Sequence, residues 1–287
     1  MINPQTLKLL LTDFPQNQMI QSAISGLYIY SADRATTAIS YIQEPSICIV
    51  MQGEREIYLG TQCQRFDNSS LMFCPVNILL SLHIKQATPQ KPVVALSMKL
   101  DLAMIQEVLS QMPPDYYADK TYLSIKWPLD EILLSAFERL INLLNYPRDI
   151  DFLAPLIQRE IYYRLLIGPQ GEKLRQLVTS DSHVRRITQA TAWLKAHVSE
   201  TVVVEQLAHS CGMGISSFHQ HFKEITHLSP LQYQKSLRLM EARRQIQLGE
   251  AQVTQIATQV GYESPSQFSR EYKRLFGLSP SKDKASN

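Results

Sequence analysis

Glu205-Gln-Leu-Ala-His-Ser-Cys-Gly212 and Thr254-Gln-Ile-Ala-Thr-Gln-Val-Gly261 are two copies of one pattern: an aliphatic residue, Ala directly after it, and Gly four residues beyond that Ala. An Ala at this place lets a second helix cross closely, and the Gly permits the left-handed turn that ends a helix. The resemblance continues fifty positions apart. Phe218 matches Phe268, Phe222 matches Tyr272 and Ile225 matches Leu275, and both copies close on Leu-Ser-Pro, at 228–230 and 278–280. At about 100° per residue, Phe218, Phe222 and Ile225 form one apolar stripe. The reading is two helix-turn-helix units.

The opposite faces of the second helices carry the chemistry. Ser216, Gln220 and Lys223, with His219 at the margin, face outward in the first unit; Ser266, Arg270 and Lys273, flanked by Ser269 and Arg274, do so in the second. Neither face holds an apolar residue. Short polar and long hydrogen-bonding side chains are what reading base edges in a major groove requires. Any one such helix alone is better explained as a solvated face, but two in register behind matching turns, in the basic part of the chain, favour double-stranded DNA. Between the units, Pro230–Leu248 reads as one connecting helix, with Ser229 as its N-cap and Pro230 in its first turn. Leu231, Leu237 and Leu239 supply its apolar contacts, and Lys235, Arg238, Arg243 and Arg244 offer cations to phosphates. A rigid connector fixes the separation of the two readers, and successive major-groove segments on one face of B-DNA lie ~34 Å apart.

Charge agrees with this placement. The 287-residue chain is nearly balanced at +2, but residues 183–287 hold 13 Lys/Arg against 8 Asp/Glu, whereas residues 1–182 hold 15 against 18. A basic end on an acidic remainder suits a polyanionic partner. A hydrophobic fraction of 45% supplies a packed core and excludes disordered and fibrous classes. The four cysteines, at 48, 63, 74 and 211, form no C-x-x-C pair, which suits a reducing compartment. No secretory leader and no apolar run near the ~18 residues of a membrane span is evident, so a soluble, cytoplasmic protein without a membrane partner is expected.

Upstream, Leu7–Leu11 reads as a short helix. From Gly26 to Leu100 the texture is strand-like: Leu27–Tyr30, Ser46–Met51, Arg55–Leu59, Ser70–Cys74, Ile78–Ile84 and Val93–Leu100, separated by Gly and Pro turns. Closely spaced strands of this kind make a small antiparallel barrel or sandwich. After Leu100 the period becomes helical, at Leu102–Leu109, Leu129–Leu144 and Phe152–Leu166, and Gly171, Ser180 and Ser182 mark a boundary near 170–183.

The repeat residues Ser217-Phe-His-Gln-His-Phe-Lys223, Ser229-Pro-Leu-Gln-Tyr-Gln234, Glu241-Ala-Arg-Arg244 and Gly261-Tyr-Glu-Ser-Pro-Ser-Gln-Phe-Ser-Arg270 resemble the two-unit DNA-binding domain of the AraC/XylS family of bacterial transcription regulators. Carried over, the family's base-reading positions are Ser216, His219 and Gln220, then Ser266, Gln267 and Arg270. Glu44–Gly53, Leu153–Glu160 and Gly168–Gly171 are similar to the AraC-type N-terminal domain of one subgroup. The resemblance implies an α+β multidomain chain: a cupin-like antiparallel β-barrel with sensing or regulatory function at 1–110, a helical linker and candidate dimerisation segment at 111–180, and an all-α double helix-turn-helix domain at 181–287. It admits RNA polymerase, a small-molecule effector and a second copy of the chain as further partners. Departures are Gly214 where a Ser cap is common, His227 where the second unit has Gly277, Ser69-Ser70 in place of a Gly, and a short polar tail after Pro280.

Enzyme chemistry finds no support. His83 is the one histidine between 26 and 100, so a cupin-type metal cluster is missing, and no G-x-S-x-G, P-loop or dinucleotide fingerprint occurs. No cofactor is expected. A cupin-type enzyme with a helical appendage is the competing reading, and an architectural binder that reads charge alone is a third. Cys48 and Cys74 read as core thiols. Tyr28, Tyr30, Tyr41, Tyr58 and Met51 read equally as pocket lining or core filling.

Overall fold

The computed structural model describes residues 3–12, 14, 17–60, 62–113, 125–169, 171–179, 182–249 and 251–285. Helix α1 (Pro4–Thr12) precedes nine strands: β1 (Gln18–Gln21), β2 (Leu27–Ala32), β3 (Ile39–Gln43), β4 (Ser46–Gln52), β5 (Arg55–Leu59), β6 (Gln62–Phe66), β7 (Ser70–Cys74), β8 (Ile78–His83) and β9 (Val93–Lys99). Helix α2 (Leu102–Gln111) and strand β10 (Lys126–Pro128) lead into α3 (Glu131–Asn142), α4 (Ile150–Ile167) and α5 (Gly171–Val178).

The strands form two antiparallel sheets, one ordered β1-β2-β9-β4-β7-β10 and the other β3-β8-β5-β6. Among the described residues no ladder joins the two, so the expected cupin-like barrel is an open sandwich. Period-2 alternation shows how the larger sheet is covered. Along β4, Ile47, Ile49 and Met51 join a core with α1–α5, while Cys48 and Val50 face the smaller sheet across a second core. A strand buried on both faces reads as a continuous apolar run, as β4 does.

The helical layer is built by the same logic. Asp101 caps α2 by accepting from the Met104 amide, and Asp130 caps α3 by accepting from that of Leu133. The apolar face of α3 buries Leu133, Ala136, Phe137, Leu140 and Ile141 against the sheet, leaving Ile132 exposed. The segment read as a linker thus holds helices that complete the sandwich's outer core. Four strands escaped the sequence reading (β1, β3, β6 and β10), because edge strands of mostly half-exposed residues carry weak alternation. Helix α5 also went unread, since it starts at the Gly171 taken for a boundary; Ser180 lies outside the described residues.

The C-terminal third is all helix: α6 (His183–Ala196), α7 (Val204–Ser210), α8 (Ile215–Thr226), α9 (Pro230–Leu248), α10 (Val253–Gln259), α11 (Pro265–Phe276) and α12 (Pro280–Ala285). It holds two separate cores. Phe218, Phe222 and Tyr233 centre the first, and Phe268, Tyr272 and Ile256 the second. Among the described residues no helix is long and apolar enough to cross a membrane.

Candidate nucleic-acid interface

Each unit is held by the same turn. Ala208 and Ala257 are fully buried at the helix crossings. Gly212 and Gly261 take φ of 64° and 89°, and the next amides, of Met213 and Tyr262, each donate back to the Ala carbonyl at 2.9 Å. Gly261 must be glycine for a second reason, because a Cβ there would lie 2.8 Å from the Arg238 guanidinium carbon and 2.9 Å from the Ser199 carbonyl oxygen.

The starts of the two reading helices differ. Ser264 caps α11 by accepting from the Gln267 amide, whereas Gly214 gives α8 no side-chain cap. At the far end of α8, His227 adopts the left-handed conformation with φ 61°, the place Gly277 fills after α11. The connector α9 starts with Ser229 and Gln232 in a reciprocal capping box behind Pro230. Leu237 and Leu239 are buried on it; Leu231, expected to join them, is exposed.

All eight residues assigned to the two faces are exposed: Ser216, His219, Gln220 and Lys223 on α8, and Ser266, Gln267, Arg270 and Lys273 on α11. The side chains of Lys223, Arg270 and Lys273 make no hydrogen bond or ion pair among the described residues. Gln220 donates to Glu224 at 2.9 Å and Gln267 to Glu271 at 3.1 Å, so each amide is presented by a carboxylate one turn on. Glu224 is held below the usual carboxylate range, by Gln220 first and then by the charge of His221. Burial works against the Glu271 charge, yet Gln267, Tyr262 and Lys235 donate to it and hold its pKa down.

The connector cations are less available than the sequence suggested. Lys235 pairs with Glu271 at 3.1 Å, Arg243 with Asp283 at 2.9 Å, and Arg244 with Glu241 at 2.9 Å. Arg238 is the most engaged of them. Its Nε donates to the Val198 carbonyl at 3.0 Å, Nη1 to that of Gly261 at 2.8 Å and Nη2 to that of Glu200 at 2.9 Å. These bonds tie the α6–α7 loop to the second unit's turn, so Arg238 is a rivet between units. Sequence reasoning also missed Asp283. It is buried, accepts from Tyr272 Oη at 2.7 Å and from Arg243, and pins α12 onto the second unit. An acid among tail lysines gave no periodic signal.

The first unit also leans on the sandwich. Ile42 of β3 joins the first helical core, and Ile225 of α8 touches both that core and the one between the sheets. Tyr233 Oη donates to the Asn77 carbonyl at 2.9 Å, and Lys195 meets Glu44 at 2.5 Å. A cavity of about 260 Å³ lies at this seam, bounded by Pro75 and Ile78, by Lys173 and His183, and by His221 and Glu224 of α8. The His183 and His221 rings stack at 3.9 Å. Burial lowers the Lys173 pKa to about 8.

Comparison with known proteins agrees with this geometry. The family profile described as AraC-type transcriptional regulator N-terminus matches residues 23–173, and a helix-turn-helix domain profile matches 207–286. The HTH-type transcriptional activator RhaS of Salmonella paratyphi A is 27% identical over 180 residues, and that of Salmonella schwarzengrund likewise. In both, the match covers 62% of this chain and 62% of the relative, so the alignment spans less than two thirds of these proteins. Among solved structures, unsaturated fatty acid-bound ToxT of Vibrio cholerae aligns with TM-score 0.56 at 12% identity, covering 94% of this chain and 96% of that one. An apo form of a ToxT variant from Vibrio cholerae aligns with TM-score 0.59 at 12% identity, covering 92% and 98%. At this identity the likeness shows a shared two-domain fold.

Proposed function

The chain belongs to the AraC-type transcriptional regulators, and from that premise we propose that it reads one bipartite DNA site with α8 and α11 in successive major grooves. Regulators of this family are not enzymes, which removes the reading of a cupin-type catalyst. The carrying observation is that both helices present an exposed, wholly polar face behind the same Ala-Gly turn, on one connector riveted at Arg238. Ser216, His219, Gln220, Ser266, Gln267 and Arg270 read base edges. Lys223, Lys273 and, once released from Glu271, Lys235 meet phosphates. Residues 181–287 form the DNA-binding domain, 1–110 the sensing domain and 111–180 the helical segment between them.

The protein acts in the cytoplasm, where its DNA is. A small-molecule effector bound by the N-terminal part changes DNA affinity through the seam at β3 and α8; the fatty acid in the ToxT structure supports control of this kind. RNA polymerase and a second copy of the chain are the remaining partners. Dimerisation uses the apolar residues that the sandwich leaves outside, among them Ile132 and Phe152. Selection of full-length protein on random DNA tests the reading. Two conserved half-motifs separated by about one helical turn are expected, whereas enrichment without a motif would leave only a charge-driven binder.

A further inference from the structure

Among the described residues three charged side chains are buried: Arg55, Glu56 and Asp283. Two have counter-ions. Glu56 accepts from Lys85 at 2.6 Å and from Arg65 at 3.2 Å, and Asp283 holds Arg243. Arg55 has none. It is 5% exposed, and its Nε and Nη2 donors reach no acceptor among the described residues.

Strand parity says where it points. Arg55 starts β5 opposite Phe66 and lies on the same face as Ile57 and Leu59, which belong to the core between the two sheets. Burial raises the pKa of the Tyr30, Tyr41 and Cys74 side chains, and the positive charge of Arg55 opposes that rise in all three, which agrees with the same direction. A buried charge without a partner is expensive, and it persists in a fold when a ligand supplies the missing charge. The two unmatched nitrogens form one edge of the planar guanidinium. That edge matches both oxygens of a carboxylate in two parallel hydrogen bonds. Among the described residues no second buried cation stands nearby to balance a dianion, and the rest of this core is apolar apart from phenols and the Cys48 and Cys74 thiols.

We propose that the interior between the two sheets binds a small organic monocarboxylate, its headgroup paired with the Nε–Nη2 edge of Arg55 and its apolar body against Ile57 and Phe66. Tyr30 and Tyr41 pack against the same core. Tyr41 belongs to β3, the strand that touches α9 and α11, so the bound anion sits one strand away from the DNA-reading helices. This inference rests on the reading that the N-terminal part holds an effector, and it supplies that effector's chemical class.

The test uses full-length protein and thermal unfolding, with sodium acetate, butyrate and hexanoate as probes. Acetamide, butyramide and hexanamide at matched ionic strength are the neutral controls. At least one carboxylate should raise the melting temperature saturably while its amide does not. Arg55→Met should melt at or above the unliganded wild type, since an unpaired buried charge is removed, and should lose the carboxylate response. Arg55→Lys keeps the charge without the edge and should weaken binding about tenfold or more. No carboxylate exceeding its amide, or a full response retained in Arg55→Lys or Arg55→Met, would overturn the site. DNA affinity is measured separately on the same samples. Arg55-dependent binding that leaves DNA affinity unchanged upholds the site and removes only its effector role. A DNA response to carboxylate that persists in Arg55→Met keeps the effector reading and removes this site.

Discussion

The two helix-turn-helix units share their turns and differ in almost everything those turns present. Unit one exposes Gln220 where unit two has Arg270, carries Glu224 where unit two has Arg274, and starts α8 at an uncapped Gly214 where Ser264 caps α11. Residues of α8 line the cavity at the seam with the sandwich, whereas α11 touches the sandwich at β3 and is completed by its own small helix, α12, through Asp283.

The largest expected effect separates the two turns. Gly261→Ala must hold a side chain at positive φ and push it into Arg238 and the Ser199 carbonyl, for a loss of about 3 kcal/mol of stability. Gly212→Ala meets only the strain, because its nearest neighbour would be 3.9 Å away, and should lose about 1 kcal/mol. Urea unfolding of the two variants checks this; equal losses would mean that the close approach at Gly261 does not matter.

Next come the reading faces. Arg270→Ala should cost ~1–3 kcal/mol on the specific site and relax preference at one base step. Gln220→Ala should cost about 1 kcal/mol, at the lower end of that range. Titrations on specific and random DNA decide it, and an equal weakening on both by Arg270→Ala would make that arginine a phosphate contact.

The caps should differ by less. Ser264→Ala should destabilise by about 1 kcal/mol, while Gly214→Ser should gain a few tenths, because glycine is itself a tolerated cap. Thermal unfolding measures both, and a gain above that of a surface substitution elsewhere on α8 is the expected sign. The smallest effect is on pH. Burial, His221 and Arg186 lower the His183 pKa, and burial and Lys173 lower that of His227. For a base with a depressed folded pKa, the folded contact is favoured above its ordinary value, about 6.5, and is lost as pH falls through the lowered one. Protection of the α8 amides, as exchange relative to the intrinsic rate at each pH, should therefore fall between pH 7 and 5, and that of the α11 amides should not. An equal fall in both would remove the seam's role.

Much of this was legible in the chain. The fifty-residue register located both units, both stripes and both polar faces, because helix period and turn glycines are local signals. The strong central strands were legible for the same reason. Edge strands such as β3 and β6 were not, since their pairing is set by neighbours far along the chain. Nor were the partners of Arg238: a cation on a helix face gives no sign in the sequence of the four backbone carbonyls it meets, those of Val198, Ser199, Glu200 and Gly261. Arg55 likewise reads as an ordinary strand arginine until burial shows that its partner is missing.

The central claim is that two unlike units of one chain read two successive grooves. Hydroxyl-radical footprinting of full-length wild type and Arg270→Ala on a selected site tests it most directly. The account predicts two protected segments about 10 base pairs apart, with Arg270→Ala erasing base preference in one segment and leaving the other protected. A single protected segment, or loss of both together, would contradict it.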